Sequence, residues 1–214
     1  MNTMTDTRSI AIKLIEANVV NFRPEEPFIW ASGWKSPIYC DNRRLLSIPY
    51  IRDFFKSELG ALVFSEFPDV DAIAGVATAG IPWGTMVSDQ LKLPFMYVRP
   101  KPKEHGMGNQ IEGAFTAGQR VLVVEDLIST GKSSLQVCDA LTNQGLKVEG
   151  MVAIFTYGFP QAEKAFLKSG ITLRTLTNYK ALVEEAAIRG IVSEKMVDTL
   201  LNWRQDPENW MGIL

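Results

Sequence analysis

The chain has 214 residues, 46% of them apolar and 21% charged, enough to bury roughly 70% of its unfolded surface and too apolar to stay disordered. Twenty-two Lys and Arg stand against 24 Asp and Glu, a net charge of −2, so no bulk attraction to nucleic acid or to an anionic membrane is expected. Two distant cysteines, Cys40 and Cys138, and a single His exclude a disulfide framework and argue against a Cys/His metal site.

Residues 1–6 are polar with no hydrophobic signal region behind them, and no apolar run approaches the roughly 18 residues of a membrane span, so a cytoplasmic setting with reduced thiols is expected. Ile10, Leu14, Ile15 and Ala17 recur at helical spacing within 10–20, with Thr5 or Asp6 as the cap. A second helix should begin after Ser47 with Pro49 in its first turn, turning Ile51, Phe54, Phe55, Leu59, Leu62 and Val63 inward. From Asp71 the texture changes to short, continuous apolar runs, read as strands over 71–76, 95–99, 120–125, 148–155 and 171–176. Helix-length segments at 81–91, 132–144 and 161–168 separate them, and helices near 181–189 and 193–203 close the chain. Strands alternating with helices, without polar alternation along each strand, predict an α/β fold with a parallel sheet covered on both faces. Repeats and linker-like stretches are lacking, so residues 1–214 are expected to form a single domain. Ligands of such sheets sit at the carboxyl ends of the strands.

The strongest chemical signal runs from Arg120 to Ser134: a buried strand, the adjacent acids Glu125 and Asp126, then Leu127, Ile128 and the loop Ser129-Thr130-Gly131 opening a helix at Lys132 and Ser133. A nucleotide phosphate loop would need Gly at position 126, where Asp stands, so that reading is rejected. What remains is a helix N-terminus with free N–H groups and hydroxyls, suited to a phosphate monoester, beside two carboxylates suited to a sugar diol; an ordinary capped turn with exposed acids is the bland alternative. The second signal lies at 99–113, where Arg99, Lys101 and Lys103 against Glu104 leave two net positive charges, with His105 beside them and Gly106, Gly108 and Gly113 spaced along the segment. A cationic lid able to move suits a diphosphate leaving group, whereas a solvated loop with an idle His is the alternative.

The stretch from Glu125 to Ser133 resembles the ribose-phosphate signature of the type I phosphoribosyltransferases, which act on 5-phosphoribosyl 1-diphosphate (PRPP) with Mg²⁺. The resemblance implies their Rossmann-like parallel sheet flanked by helices, with residues 1–45 contributing a small N-terminal hood. It also implies that Glu125 and Asp126 take the ribose diol and that Leu127, Ile128, Ser129, Thr130, Gly131, Lys132 and Ser133 wrap the 5-phosphate. The lid pattern of Arg99, Lys103, His105 and Gly106 is similar to that of the family's orotate-specific branch, as are Ser32-Gly33-Trp34-Lys35-Ser36-Pro37 of the hood and the diphosphate loop around Thr78, Ala79 and Gly80. Carried over, Arg99, Lys101, Lys103, His105, Thr78 and Ala79 bind the donor, Lys103, His105 and Asp126 are catalytic, and Ser129, Tyr39 and Cys40 meet the orotate. No protein residue is implied as a direct metal ligand, the Mg²⁺ being held mainly by PRPP. In the best-known members of that branch, Ala31, Ala79 and Tyr157 are replaced by Lys, Lys and Arg, and Lys35 is the nearest substitute for a missing cation.

The resemblance implies transfer of the phosphoribosyl group from PRPP to orotate, giving orotidine 5-monophosphate and diphosphate in pyrimidine synthesis. It also implies a homodimer whose lid acts in the partner's site. Two other readings compete: a phosphoribosyltransferase for another nucleobase, against which the lid and hood patterns stand, and a PRPP-sensing regulator that binds nucleic acid, which would need a basic face.

Overall fold

The computed structural model describes residues 6–30, 32–100 and 110–212. Ala31 and, in the lid segment, Lys101, Lys103 and His105 lie outside the described residues.

Helix α1 (Thr7–Glu16) starts at Asp6, whose side chain accepts the Arg8 N–H at 3.1 Å. It stops earlier than its apolar spacing suggests, because Asn18 turns left-handed at φ 53° and sends the chain into β1 (Val20–Phe22). Two small antiparallel ribbons follow, features without a sequence signal: β1 pairs with β4 (Ile38–Cys40), and β2 (Phe28–Ile29) pairs with β3 (Lys35–Ser36). A short 3-10 helix, Asn42–Ser47, leads into α2 (Pro49–Glu66), which buries Ile51, Phe55, Leu59 and Val63 and half-buries Phe54 and Leu62.

The core alternates β5 (Ala72–Val76), α3 (Gly80–Leu91), β6 (Phe95–Val98), β7 (Ile111–Glu112), β8 (Arg120–Ile128), α4 (Lys132–Asn143), β9 (Lys147–Thr156), α5 (Pro160–Ser169), β10 (Leu173–Asn178), α6 (Tyr179–Ile188) and α7 (Glu194–Gln205). The sheet order is β10-β9-β8-β5-β6-β7, parallel except for the short antiparallel edge strand β7. All five residues of β5 and Val121, Leu122, Val123 and Val124 of β8 are buried, as expected for strands covered on both faces.

One boundary differs in a way that matters. Strand β8 does not end at Glu125 but continues to Ile128, because Leu127 and Ile128 still have partners, Phe155 and Thr156, on β9. Asp126, Leu127 and Ile128 are therefore strand residues rather than loop.

The N-terminal segment is fastened to this core by aromatic rings. Trp30 lies 5.0 Å from Tyr157, Tyr157 stacks on Phe159 at 5.4 Å, and Trp203 of α7 lies 5.3 Å from Phe159. Each such pair contributes about 0.5–1.5 kcal/mol beyond its buried area. The Trp203 indole N–H also donates to the Lys35 carbonyl at 3.0 Å, tying α7 to the N-terminal segment.

Candidate active site

Successive strands step away from β5 in one direction to β6 and in the other to β8 and β9, so the sheet's switch point lies between β5 and β8. The crevice beyond their carboxyl ends is bounded by residues 77–79 on one side and 129–131 on the other, where this architecture places ligands.

Two glycines bring the first loop close. A Cβ on Gly80 would lie 2.4 Å from the Val124 carbonyl oxygen, and one on Gly75 would lie 2.9 Å from that of Gly80. Only hydrogen at these positions lets α3 begin directly against β5 and β8. The Ala77–Thr78 peptide is cis, Thr78 is exposed and Ala79 half-buried. The N-cap residue bonds through no side chain in α3, nor in α4, whose N-cap is Gly131 in the left-handed region at φ 75°; at the α4 start only the Thr130 hydroxyl approaches, accepting the Lys132 N–H at 3.5 Å. Two helix N-termini without an N-cap side chain thus flank the crevice, each with outward N–H groups and the positive end of a peptide dipole. Around the second, Ser129 and Thr130 are half-buried, Lys132 and Ser133 exposed, and Gly131 buried against Phe166. Such an end binds a phosphate well.

The acidic pair is asymmetric. Glu125 is buried, and both its oxygens are engaged: Oε1 accepts the Asp126 N–H at 3.0 Å and Oε2 the Ser134 hydroxyl at 3.4 Å. Asp126 is half-buried, and its carbonyl accepts Nδ2 of Asn42 at 2.9 Å. Burial, reinforced by the charge of Asp126, pushes the Glu125 carboxyl well above the usual carboxylate range. Burial also raises Asp126, while its hydrogen bond with Glu125 and the charge of Arg43 oppose the rise. Asp126 is thus the carboxylate open to a ligand, with Glu125 bracing it from within.

A stability prediction follows. The folded state holds the Glu125 proton more tightly than the unfolded chain, whose ordinary value is 4.5. This stabilisation is complete below that value and is lost as pH rises towards the higher folded value. Glu125→Gln keeps both contacts without the charge. Its melting temperature should therefore gain on wild type from about pH 5 upwards, by a few degrees, and level off once the folded group has titrated. A difference that stays constant with pH in thermal melts would contradict this.

Of the other residues singled out from sequence, Arg99 leaves the end of β6 with its main chain locked to Gln110 by bonds of 2.9 and 2.8 Å, and its guanidinium lies 3.9 Å from Glu112. Leu127 is half-buried, whereas Ile128 is in the core. Tyr39 is exposed, but Cys40 is buried, its thiol pushed up by burial and donating to Asn42 Oδ1 at 3.2 Å. The Lys35 ammonium donates to the Met211 carbonyl at 3.1 Å. Tyr157 is buried among the rings of Trp30, Phe155, Phe159, Tyr179 and Trp203. Asn42 and Arg43 carry no sequence signal, since nothing in a polar stretch after a strand marks one amide as a clasp to a residue 84 positions away.

The phosphoribosyl transferase domain model matches residues 59–187. The chain is 51% identical over 207 residues, 97% of its length and 99% of the relative's, to an orotate phosphoribosyltransferase of Cytophaga hutchinsonii. It resembles the crystal structure of orotate phosphoribosyltransferase from Aeropyrum pernix at TM-score 0.74 and 30% identity, covering 84% of this chain and 98% of that one. Against a UMP synthase structure from Leishmania donovani the TM-score is 0.76 at 27% identity, covering 92% of this chain but only 42% of that longer one.

Proposed function

The chain belongs to the orotate phosphoribosyltransferases of the phosphoribosyl transferase family, and from this we propose that it transfers the 5-phosphoribosyl group of PRPP to orotate, giving orotidine 5-monophosphate and diphosphate. The observation that carries this reading is the crevice itself: two helix N-termini without an N-cap side chain on either side of Asp126. Their separate positions suit the two phosphate ends of one sugar, with the diphosphate at 77–80, the 5-phosphate at 129–133 and the diol at Asp126 between them.

Each residue's role follows from the charge that develops as the C1–O bond breaks ahead of full attack by the base. The sugar becomes positive, and Asp126 faces it as a carboxylate held in place before the reaction. The leaving diphosphate becomes more negative, and it is drawn by the α3 N-terminus together with Arg99, Lys101, Lys103 and His105. We assign catalytic roles to Asp126, Lys103 and His105, donor contacts to Thr78, Ala79, Asp126 and residues 129–133 with Glu125 behind them, and base contacts to Ser129, Tyr39 and Cys40. Residues 1–45 supply the hood of a single domain. Homodimers in which the lid serves the partner's site, in a cytoplasmic setting, complete the proposal; among the described residues no helix is long and apolar enough to cross a membrane.

The donor set suits Mg²⁺ carried by the substrate. Among the described residues no three His, Cys, Asp or Glu gather, and Glu125 has spent both oxygens, which leaves Asp126 as the one open carboxylate of the pair. Mg²⁺ is commonly held through one or two carboxylates plus substrate phosphates. When bound, it neutralises phosphate charge. Orotate and PRPP should therefore yield orotidine 5-monophosphate and diphosphate in equal amounts by chromatography, with a chelator abolishing both. Diphosphate released without the nucleotide would reduce the protein to a PRPP hydrolase.

A further inference from the structure

Orotate carries a carboxylate that most nucleobases lack, and a carboxylate taken out of water under an aromatic hood needs a cation. Of the hood's cations, Arg8 and Lys13 pair with Glu185 and Glu16, and Arg44, though exposed, has no side-chain anchor among the described residues to orient it. Arg23 lies over the Phe28 ring at 5.1 Å, and Lys35 holds the Met211 carbonyl. Arg52, at the start of α2, donates to the Leu46 carbonyl at 3.4 Å. Lys132, at the α4 N-terminus, is on the phosphate side of the crevice.

Arg43 differs in being fixed at two points beside the acidic pair. Its Nε donates to Asp41 Oδ1 at 2.7 Å and its Nη2 to the Tyr39 hydroxyl at 3.3 Å. The preceding residue, Asn42, is clasped to the Asp126 carbonyl at 2.9 Å, so the stretch bearing Arg43 cannot drift from the sugar subsite. The Arg43 charge is felt at Asp126. Its side chain is 60% exposed, and Nη1 has no partner among the described residues. A guanidinium oriented by one carboxylate and a phenol, with a donor left over, is arranged to grip a second carboxylate.

Resting on the reading above, we propose that Arg43 reads the carboxylate of the base and sets the preference for orotate over neutral pyrimidines, with Asp41 and Tyr39 as the groups that orient it. The base would then lie between the sugar at Asp126 and the Tyr39 edge of the hood.

The test compares Arg43→Gln and Arg43→Lys with wild type in steady-state kinetics, with uracil as a competitive inhibitor lacking the carboxylate. An exposed Arg–Asp pair adds little to stability, so both variants should melt with wild type; Arg43→Lys serves as the milder change should Arg43→Gln fail to fold. For Arg43→Gln, kcat/KM for orotate should fall about 10²-fold, with donor KM and the uracil inhibition constant within about threefold. Arg43→Lys, which keeps the charge but not the fork, should fall in between. Orotate kinetics unchanged in both variants, or orotate, uracil and donor affinities weakened together, would overturn the assignment. A wild-type protein inert towards orotate would instead sink the function beneath it, and the assignment with it.

Discussion

Asp126→Asn should lower kcat by about 10²-fold or more while leaving donor KM within a few-fold. Asn has the size of Asp and can still meet a diol, so what is lost is the negative charge facing a sugar that is cationic only near the transition state. The clasp from Asn42 reaches the main-chain carbonyl rather than the side chain, so the residue stays in place. Removing this charge also relieves Glu125, whose buried carboxyl is raised partly by its neighbour. The variant should therefore melt no lower than wild type at neutral pH, separating lost chemistry from lost fold. An unchanged kcat would make Asp126 a strand-end acid with no part in catalysis.

The second large effect concerns the lid. On the role proposed for it, Lys103→Ala should lower kcat by about 10²-fold, and more than it raises donor KM, because a charge that met the leaving group only on closure would act mainly as the bond breaks. If the lid serves the partner's site, Lys103→Ala and Asp126→Asn subunits are damaged in different sites of a mixed dimer. Random equal mixing makes half the dimers hybrid, each with one site built wholly of unaltered parts, hence about a quarter of wild-type activity from two nearly inactive parents. Demonstrated subunit exchange with activity at the parental average would place the lid in its own chain's site.

The sheet was readable because β5, β8 and β9 are near-continuous apolar runs bounded by helix-length segments, a local property. The loop 129–131 was readable for the same reason, its hydroxyls and glycine being consecutive. What depends on distant partners was not. Strand β8 runs past its two acids because β9 offers Phe155 and Thr156 as neighbours, a fact absent from residues 120–128 themselves. Adjacent acids look equivalent in a sequence, yet Glu125 is buried on Ser134 while Asp126 stays open. The hood's ribbons have strands of two or three residues, too short for periodicity to show, and its anchoring rings come from Trp30, Tyr157, Phe159 and Trp203, four places joined only by folding. Lys35 likewise has a partner that its own segment does not announce, the Met211 carbonyl.

The central claim is the identity of the acceptor base. Its most direct test is kcat/KM for orotate, adenine and hypoxanthine on one preparation, each with saturating PRPP and Mg²⁺. Orotate consumed with kcat/KM at least 10²-fold above either purine is the predicted result; a purine turned over at equal or higher kcat/KM, with orotate inert, would contradict it.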